Sequence, residues 1–211
     1  MGGGEIYGDE QMVTQSDIHF FTNWAKERLD EMDATLAVLE AKTAEVRAEA
    51  RVKADPLIAE LRKKRDEFQS TLKKQAEAGE AVWERIKVQL ETEWKTFEAE
   101  LKKYLEAVGQ EIGQQQAVFK AQLAAQKKAW REAADKVQAA AAEFAAERRK
   151  EIEASVSRMR ADAATADQKL QKLAGAGNQS WGALNAALAE TRGVFDRANQ
   201  SVRDAFKKAA A

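Results

Sequence analysis

Apolar side chains follow a regular helical spacing through the middle of the chain. From position 79 to position 112 they recur in steps of 4-3-4-4-3-4-4-3-4, which is an 11-residue repeat. Such a repeat averages about 3.67 residues per turn, so its apolar stripe runs almost straight along an α-helix. The positions are Gly79, Trp83, Ile86, Leu90, Trp94, Phe97, Leu101, Leu105, Val108 and Ile112. The register extends back to Leu57 and forward to Trp130, and it predicts long amphipathic helices.

The two ends of the chain carry apolar stripes of their own. The stripe near the N-terminus has heptad spacing and consists of Leu29, Met32, Leu36, Leu39 and Val46. The stripe near the C-terminus consists of Trp181, Leu184, Leu188, Phe195, Val202 and Phe206. Both patterns predict amphipathic helices.

Two helix boundaries are predicted in the first half of the chain. Four glycines within residues 1–15 predict a flexible arm, and Ser16 or Asp17 then suits the N-cap of the first helix. Asp55 followed by Pro56 suits the start of a second helix, because Pro inside a helix removes a hydrogen bond and clashes with the preceding turn. A turn is favoured there over a kink.

Two further breaks are predicted in the second half. Gly109 and Gly113 flank a short polar stretch and predict a chain reversal, with an uninterrupted helix as the alternative. The segment 174–182, AGAGNQSWG, predicts a helix–helix turn. Gly175 or Gly177 suits its C-cap, and Asn178 or Ser180 suits the N-cap of the last helix.

These boundaries predict an all-α protein without sheets. After the arm of residues 1–15, residues 16–211 form a single elongated helical domain with helices over about 17–53, 57–108, 114–174 and 180–208. The expected architecture is an elongated antiparallel hairpin or bundle of three or four long helices with coiled-coil packing. Pairing of the two central helices would make arms of roughly 80 and 90 Å.

Composition supports long helices and disfavours several kinds of chemistry. Charged residues make up 33% of the chain, and 43 of its 211 residues are Ala, so large apolar side chains form only narrow stripes. The absence of Cys and the single His19 remove the usual metal ligands, nucleophile and general base. We therefore expect no enzyme activity, no metal and no cofactor. A net charge of -1 argues against nucleic-acid binding.

Two further features of the sequence bear on the role of its carboxylates and on its expected location. Acidic groups such as Asp30, Glu31 and Asp33 have Lys or Arg nearby along the chain, as solvated helical ion pairs do. No apolar run approaches the ~20 residues of a transmembrane helix, and the N-terminus lacks the pattern of a secretory signal. The expected location is cytoplasmic, with a peripheral association with a membrane or granule as an option.

Two sets of side chains are candidates for binding. The first is an apolar face for surfaces or partners, made of Trp181, Leu184, Leu188, Phe195 and Phe206. The second is a pair of basic clusters for anionic lipid, made of Arg62, Lys63, Lys64, Arg65, Arg148, Arg149 and Lys150. The competing interpretation is seam packing for the aromatic residues and a solvated helical face for the basic ones.

The 4-4-3 stripe over roughly residues 57–130, together with the tail WGALNAALAETRGVFDRANQSVRDAF, resembles two groups of lipid-surface proteins. One is the exchangeable apolipoproteins, built from 11-residue amphipathic units, although their repeated Pro is absent here. The other is the bacterial phasins, which coat polyhydroxyalkanoate granules and are Ala-rich, Cys-free and helical. The resemblance implies a coat on a hydrophobic surface and transfers no individual site residue.

Three functions follow as expectations. The first is a non-enzymatic structural coiled-coil protein that self-associates, as a dimer or higher homo-oligomer, and binds partners through its helical faces. The alternative is a phasin-like peripheral coat protein on a lipid membrane or polyhydroxyalkanoate granule. A second alternative is a BAR-like membrane-curvature module that uses the basic clusters. None of the three involves a small-molecule substrate.

Overall fold

The computed structural model describes residues 7–45, 47–78, 83–108, 112–177 and 179–211. These residues form six α-helices and no strand: α1 Tyr7–Glu45, α2 Ala48–Ala78, α3 Trp83–Ala107, α4 Ile112–Ala141, α5 Ala146–Gly175 and α6 Trp181–Ala210. The predicted all-α fold is confirmed, but the prediction of three or four helices is wrong. The extra breaks divide the two predicted central helices, so no helix in the described ranges approaches the predicted length of roughly 80 to 90 Å.

Helix α1 begins before the predicted arm ends. Its first residue is Tyr7, so residues 7–15 are helical, and residues 1–6 lie outside the described residues. Three of the four glycines that predicted the arm precede Tyr7.

The boundary predicted at Pro56 is wrong. α1 ends at Glu45 and α2 begins at Ala48, so Pro56 lies inside α2. The break is stabilised by Arg51, whose guanidinium donates to the carbonyl oxygens of Thr43 (3.1 Å from Nε) and Ala44. These carbonyls belong to the last turn of α1, which has no helical donors for them. Pro56 lies at an exposed position of α2, and Val52, whose carbonyl Pro56 leaves without a helical donor, is 76% exposed.

Replacing Pro56 with Ala should therefore stabilise the protein. The substitution restores one helical hydrogen bond and removes a steric clash at an exposed position, so we expect a gain of up to about 3 kcal/mol in the free energy of unfolding. Urea unfolding followed by circular dichroism measures it. Lys53→Ala, an exposed neighbour in the same helix, is the control and should change stability by less than about 0.5 kcal/mol. An unchanged midpoint for Pro56→Ala would contradict this account of α2.

The predicted helix 57–108 is divided in two. α2 ends at Ala78 and α3 begins at Trp83, with residues 79–82 outside the described residues. The two helices pack as an antiparallel hairpin: Thr71 Oγ1 donates to Glu93 Oε1 at 2.8 Å and accepts from Gln89 Nε2 at 3.2 Å. The parts of the 11-residue apolar stripe on α2 and on α3 therefore pack in the same apolar cluster.

The predicted helix 114–174 is also divided. α4 ends at Ala141, where the amides of Ala142, Glu143 and Phe144 donate to carbonyls three residues earlier, each at 3.2 Å. α5 begins at Ala146. Phe144 anchors the turn, because its ring lies edge-on to Phe206 at 5.5 Å.

The other two predicted boundaries are confirmed. α3 ends at Ala107 and α4 begins at Ile112, which places Gly113 in the first turn of α4 and leaves Gly109 outside the described residues. Between α5 and α6, Gly177 adopts a φ of 67°, a left-handed conformation that suits glycine. Ser180 is the N-cap of α6, and its hydroxyl accepts from the Ala183 amide at 3.3 Å.

The helices alternate in direction, and α1 packs against α2, α3, α4 and α6. We call α1–α3 the N-terminal half and α4–α6 the C-terminal half. One apolar cluster is built mainly from the N-terminal half, and two others are built mainly from the C-terminal half. Among the described side chains, Val52 and Val88 are the large apolar ones that are exposed. In the described part of the chain, no helix is both long and apolar enough to cross a membrane.

Candidate functional site: a buried polar seam

Charged and polar side chains line the contact between the two halves. On α1, Glu27, Arg28, Glu31 and Thr35 recur at helical spacing, so they share one side of the helix. This side meets α4, α6 and the edge of α3. We define the polar seam as Glu27, Arg28, Glu31, Thr35, Glu98, Gln122, Gln126, Arg192 and Asp196. Glu27 and Glu31 are 0% exposed, and Arg192 is 5% exposed. Charged groups are this deeply buried only when they are paired.

Arg28 connects α1 to α6. Its guanidinium donates to both carboxylate oxygens of Asp196, at 3.1 and 2.8 Å, and to Glu27 Oε2 at 2.8 Å. The same group lies 4.1 Å from the centre of the Trp24 ring. A two-point contact between arginine and a carboxylate fixes orientation as well as distance, so this pair sets how α6 lies on α1.

Arg192 makes the reciprocal connection from α6. Its Nη1 donates to Glu98 Oε1 on α3 at 2.7 Å, and its Nε lies 3.4 Å from Glu31 Oε1 on α1. The guanidinium lies 4.8 Å from the centre of the Trp94 ring. One cation of the C-terminal half is thus shared by two carboxylates of the N-terminal half.

Amide and hydroxyl groups continue the seam onto α4. Gln126 Nε2 donates to Glu31 Oε1 at 3.0 Å and to the Leu188 carbonyl at 3.3 Å. Gln122 Nε2 donates to Thr35 Oγ1 at 2.9 Å, and Thr35 Oγ1 donates to the Glu31 carbonyl at 2.7 Å. The two halves therefore meet across a hydrogen-bonded layer as well as through apolar contacts.

The seam is not fully satisfied. Glu27 Oε1 and Glu31 Oε2 are buried without a hydrogen-bond partner. Burial raises the pKa of Glu27 well above its ordinary value, because desolvation of the carboxylate outweighs the attraction of Arg28, and Glu31 and Asp196 add repulsion. Burial also raises the pKa of Glu31, against the opposing effects of Arg192 and Gln126. The seam therefore contains two carboxylates whose ionised forms are costly in the closed bundle.

These shifts predict a pH dependence of stability. A carboxylate with a raised pKa stabilises the folded state fully below its ordinary value of 4.5, and this contribution is lost as the pH rises through the raised pKa. We therefore expect the seam to contribute less to the free energy of unfolding at pH 8 than at about pH 5. Glu27→Gln should flatten that dependence, as measured by urea unfolding across this range.

The effect of the seam carboxylates on stability has to be distinguished from the effects of Glu132 and His19. Lys26 lowers the pKa of Glu132, so the stabilising contribution of Glu132 is lost only as the pH falls below 4.5, outside the window of the seam. His19 is the one imidazole of the chain, and a parallel series with His19→Asn separates its effect from that of the seam carboxylates. If wild type and Glu27→Gln had equal slopes between pH 5 and 8, Glu27 would not be the buried titrating group.

The apolar site candidates lie mostly inside the bundle. Leu184, Leu188, Phe195 and Phe206 are buried. Trp181 is half-buried and packs against the apolar clusters of both halves. The closed bundle does not present these five residues as one surface.

The basic candidates are divided between two helices. Arg62, Lys63, Lys64 and Arg65 lie on α2, and Arg148, Arg149 and Lys150 lie on α5. Six of them form ion pairs with Glu40, Glu60, Glu67, Asp33, Asp66, Glu153 or Glu147. Arg148 donates to the Ala209 carbonyl at 3.1 Å. The structure therefore leaves these cations largely neutralised by the chain itself.

The sequence interpretation missed the seam. Glu31 is typical of a solvated ion pair by its spacing, yet it is buried. One signal of the polar seam was present in the sequence. The apolar stripe of α6 is interrupted between Leu188 and Phe195, where Thr191 and Arg192 lie on the same side of the helix. No group of three or more potential metal ligands occurs among the residues that the structure describes.

The comparisons with known proteins add no relative: no protein-family model, no curated protein and no solved structure matches the chain. The fold class is an all-α helical bundle, and any function has to be argued from its geometry.

Proposed function

We propose that the protein is a non-enzymatic surface coat protein that opens along the polar seam and spreads its two halves on a lipid or granule surface. Of the three expected functions, this is the one the geometry supports best. The observation that carries the proposal is the position of the seam, because buried charges coincide with the contact between two largely separate apolar clusters.

The energetics of the seam favour separation there. A buried ion pair regains solvation when it opens, so its net contribution to stability is small compared with that of apolar contacts. The apolar clusters within each half have no such compensation, because exposing them costs about 25 cal/mol per Å² in water. Because α1 and α4 share the most extensive contact between any two described helices, the halves should part only where an apolar surface replaces that contact.

Opening would release aromatic side chains that cross or border the seam. Phe20 of α1 contacts Phe206 of α6 with ring centres 5.2 Å apart. Trp181 packs against clusters of both halves. These side chains supply apolar area, and the indole N–H of Trp can still reach water at an interface. An apolar surface would replace the contacts that opening removes.

The two other functions have less support. Among the side chains that the structure describes, self-association through apolar faces has little exposed area to use, since Val52 and Val88 lie on different helices. A curvature module needs free cations on one face, whereas the basic clusters are paired within the chain. Dimerisation remains a prediction, and binding to anionic lipid is a prediction that vesicle flotation tests.

Vesicle flotation with neutral and anionic liposomes, at low and moderate salt, tests the proposal. A coat that opens onto apolar surface should float with both lipids and keep floating in salt. Flotation with anionic lipid alone at low salt would favour the curvature module. No flotation under any of the four conditions would contradict the coat function and favour the scaffold.

A further inference from the structure

The polar seam contains more carboxylates than cations. Its charged members are the acids Glu27, Glu31, Glu98 and Asp196 and the bases Arg28 and Arg192. The side chains of Glu98 and Asp196 are 25% and 35% exposed, so water screens their charges. Glu27 and Glu31 are 0% exposed and lack this screening. Because two guanidiniums cannot neutralise four carboxylates, a proton on a buried carboxylate would remove excess negative charge from the closed bundle.

Glu27 is the less well compensated of the two buried carboxylates. Its Oε2 accepts from Arg28 at 2.8 Å, but Arg28 also donates to both oxygens of Asp196, and Glu27 Oε1 has no hydrogen-bond partner. Glu31 Oε1, by comparison, accepts an amide hydrogen bond and lies 3.4 Å from Arg192 Nε. In agreement with these contacts, burial raises the pKa of Glu27 well above its ordinary value. Glu27 is therefore the first seam carboxylate to take up a proton.

The surrounding helices do not supply the missing cation. The charged groups that they bring to this region are Arg192 and Asp196 from α6, Glu98 from α3 and Glu132 from α4. Glu132 is held by Lys26 of α1, but Lys26 also pairs with Asp30, so this cation is shared by two carboxylates. The ion pairs between α1 and α2 use Asp33 and Glu40, which helical spacing places on the opposite side of α1. The excess of negative charge is therefore confined to the seam.

We propose that the polar seam is a proton-controlled latch, in which a proton on Glu27 holds the two halves together and its release to solvent lets them part. This inference rests on the opening motion proposed above. Opening exposes Glu27 to water and returns its pKa to the ordinary 4.5, so the carboxyl loses its proton when the pH lies between that value and the raised pKa of the closed bundle. The closed bundle is favoured at low pH, and the surface-bound form is favoured as the pH rises.

Flotation with phosphatidylcholine vesicles tests the latch, because this headgroup has no net charge at either pH used. The fraction of wild-type protein that floats should be at least about fivefold larger at pH 8 than at about pH 5, since proton release by one group shifts the equilibrium by up to about tenfold per pH unit. Glu27→Gln is neutral at every pH, so it should float as little at pH 8 as wild type does at pH 5. Asp33→Asn makes the same kind of change outside the seam and should keep the wild-type pH dependence.

A second variant and a direct measurement of the proton complete the test. Glu31→Gln should also reduce flotation at pH 8, so the latch can be tested even if Glu27→Gln fails to fold. In ¹³C NMR spectra of the protein without vesicles, the carboxyl signal assigned through Glu27→Gln should titrate above the ordinary range of glutamate. A signal that titrates at the ordinary pKa of 4.5 would overturn the latch.

The flotation outcomes separate the latch from the coat function. Equal flotation of wild type at both pH values, or a pH dependence that persists in Glu27→Gln, would overturn the latch and leave the coat function standing. Loss of the pH dependence in His19→Asn would assign it to the imidazole and would also overturn the latch. No flotation of wild type at either pH would contradict the coat function itself, and the latch with it.

Discussion

Arg192→Met should lower the free energy of unfolding by about 3–5 kcal/mol. Arg192 is 5% exposed and neutralises Glu31, which is fully buried, as well as Glu98. Its removal leaves Glu31 with a hydrogen bond from Gln126 but without its nearest cation. An uncompensated buried charge is among the most costly defects a core can contain, so the loss should exceed that of a typical substitution. Urea unfolding at pH 7 measures the change.

The matched variants separate charge from packing. Arg197→Met makes the same substitution at an exposed position of the same helix, and it should change stability by less than about 0.5 kcal/mol. Arg192→Met combined with Glu31→Met should recover much of the loss, because the pair is then replaced by apolar side chains. If the double variant were as unstable as the sum of the two single variants, the ion pair would not be the source of the effect.

A cross-link across the seam should abolish binding to vesicles. The ion pair between Lys26 of α1 and Glu132 of α4 joins the two halves, with Nζ and Oε2 2.8 Å apart. Since the chain has no Cys, Lys26→Cys combined with Glu132→Cys provides two unique thiols that a short cleavable bis-maleimide can join. The joined halves cannot separate at this end of the seam, so the aromatic side chains inside stay covered.

A second cysteine pair provides the control. Glu151 of α5 and Lys208 of α6 form an ion pair at 2.8 Å within the C-terminal half. A cross-link between cysteines at these positions adds the same reagent and the same number of substitutions without joining the halves. This variant should float as well as the unmodified protein.

The sequence predicted the fold class because helical periodicity is a local property. The break at 174–182 was predicted for the same reason, since glycine and Ser180 act within a few residues of their own position. The break at 142–145 was missed because it contains neither Gly nor Pro, and the Ala-rich segment before it has no sharp apolar register. It depends on the contact of Phe144 with Phe206, which lies far away in sequence.

Pro56 failed as a boundary signal for a related reason. The cost of Pro in a helix depends on whether water can reach the carbonyl it leaves unpaired, and this is set by how α2 lies on its neighbours. A local sequence pattern could not predict the polar seam either, because Arg28 and Asp196, which pair across it, are 168 positions apart in the sequence. Spacing alone cannot distinguish a solvated carboxylate from one that another helix buries.

Flotation of the protein cross-linked between positions 26 and 132, before and after cleavage of the linker, tests the central claim most directly. The account predicts that the cross-linked protein stays at the bottom of the gradient with neutral and anionic vesicles alike, and that cleavage restores flotation while the pair at 151 and 208 floats throughout. Equal flotation of the cross-linked and cleaved protein would show that binding needs no opening along the polar seam, and it would contradict the account.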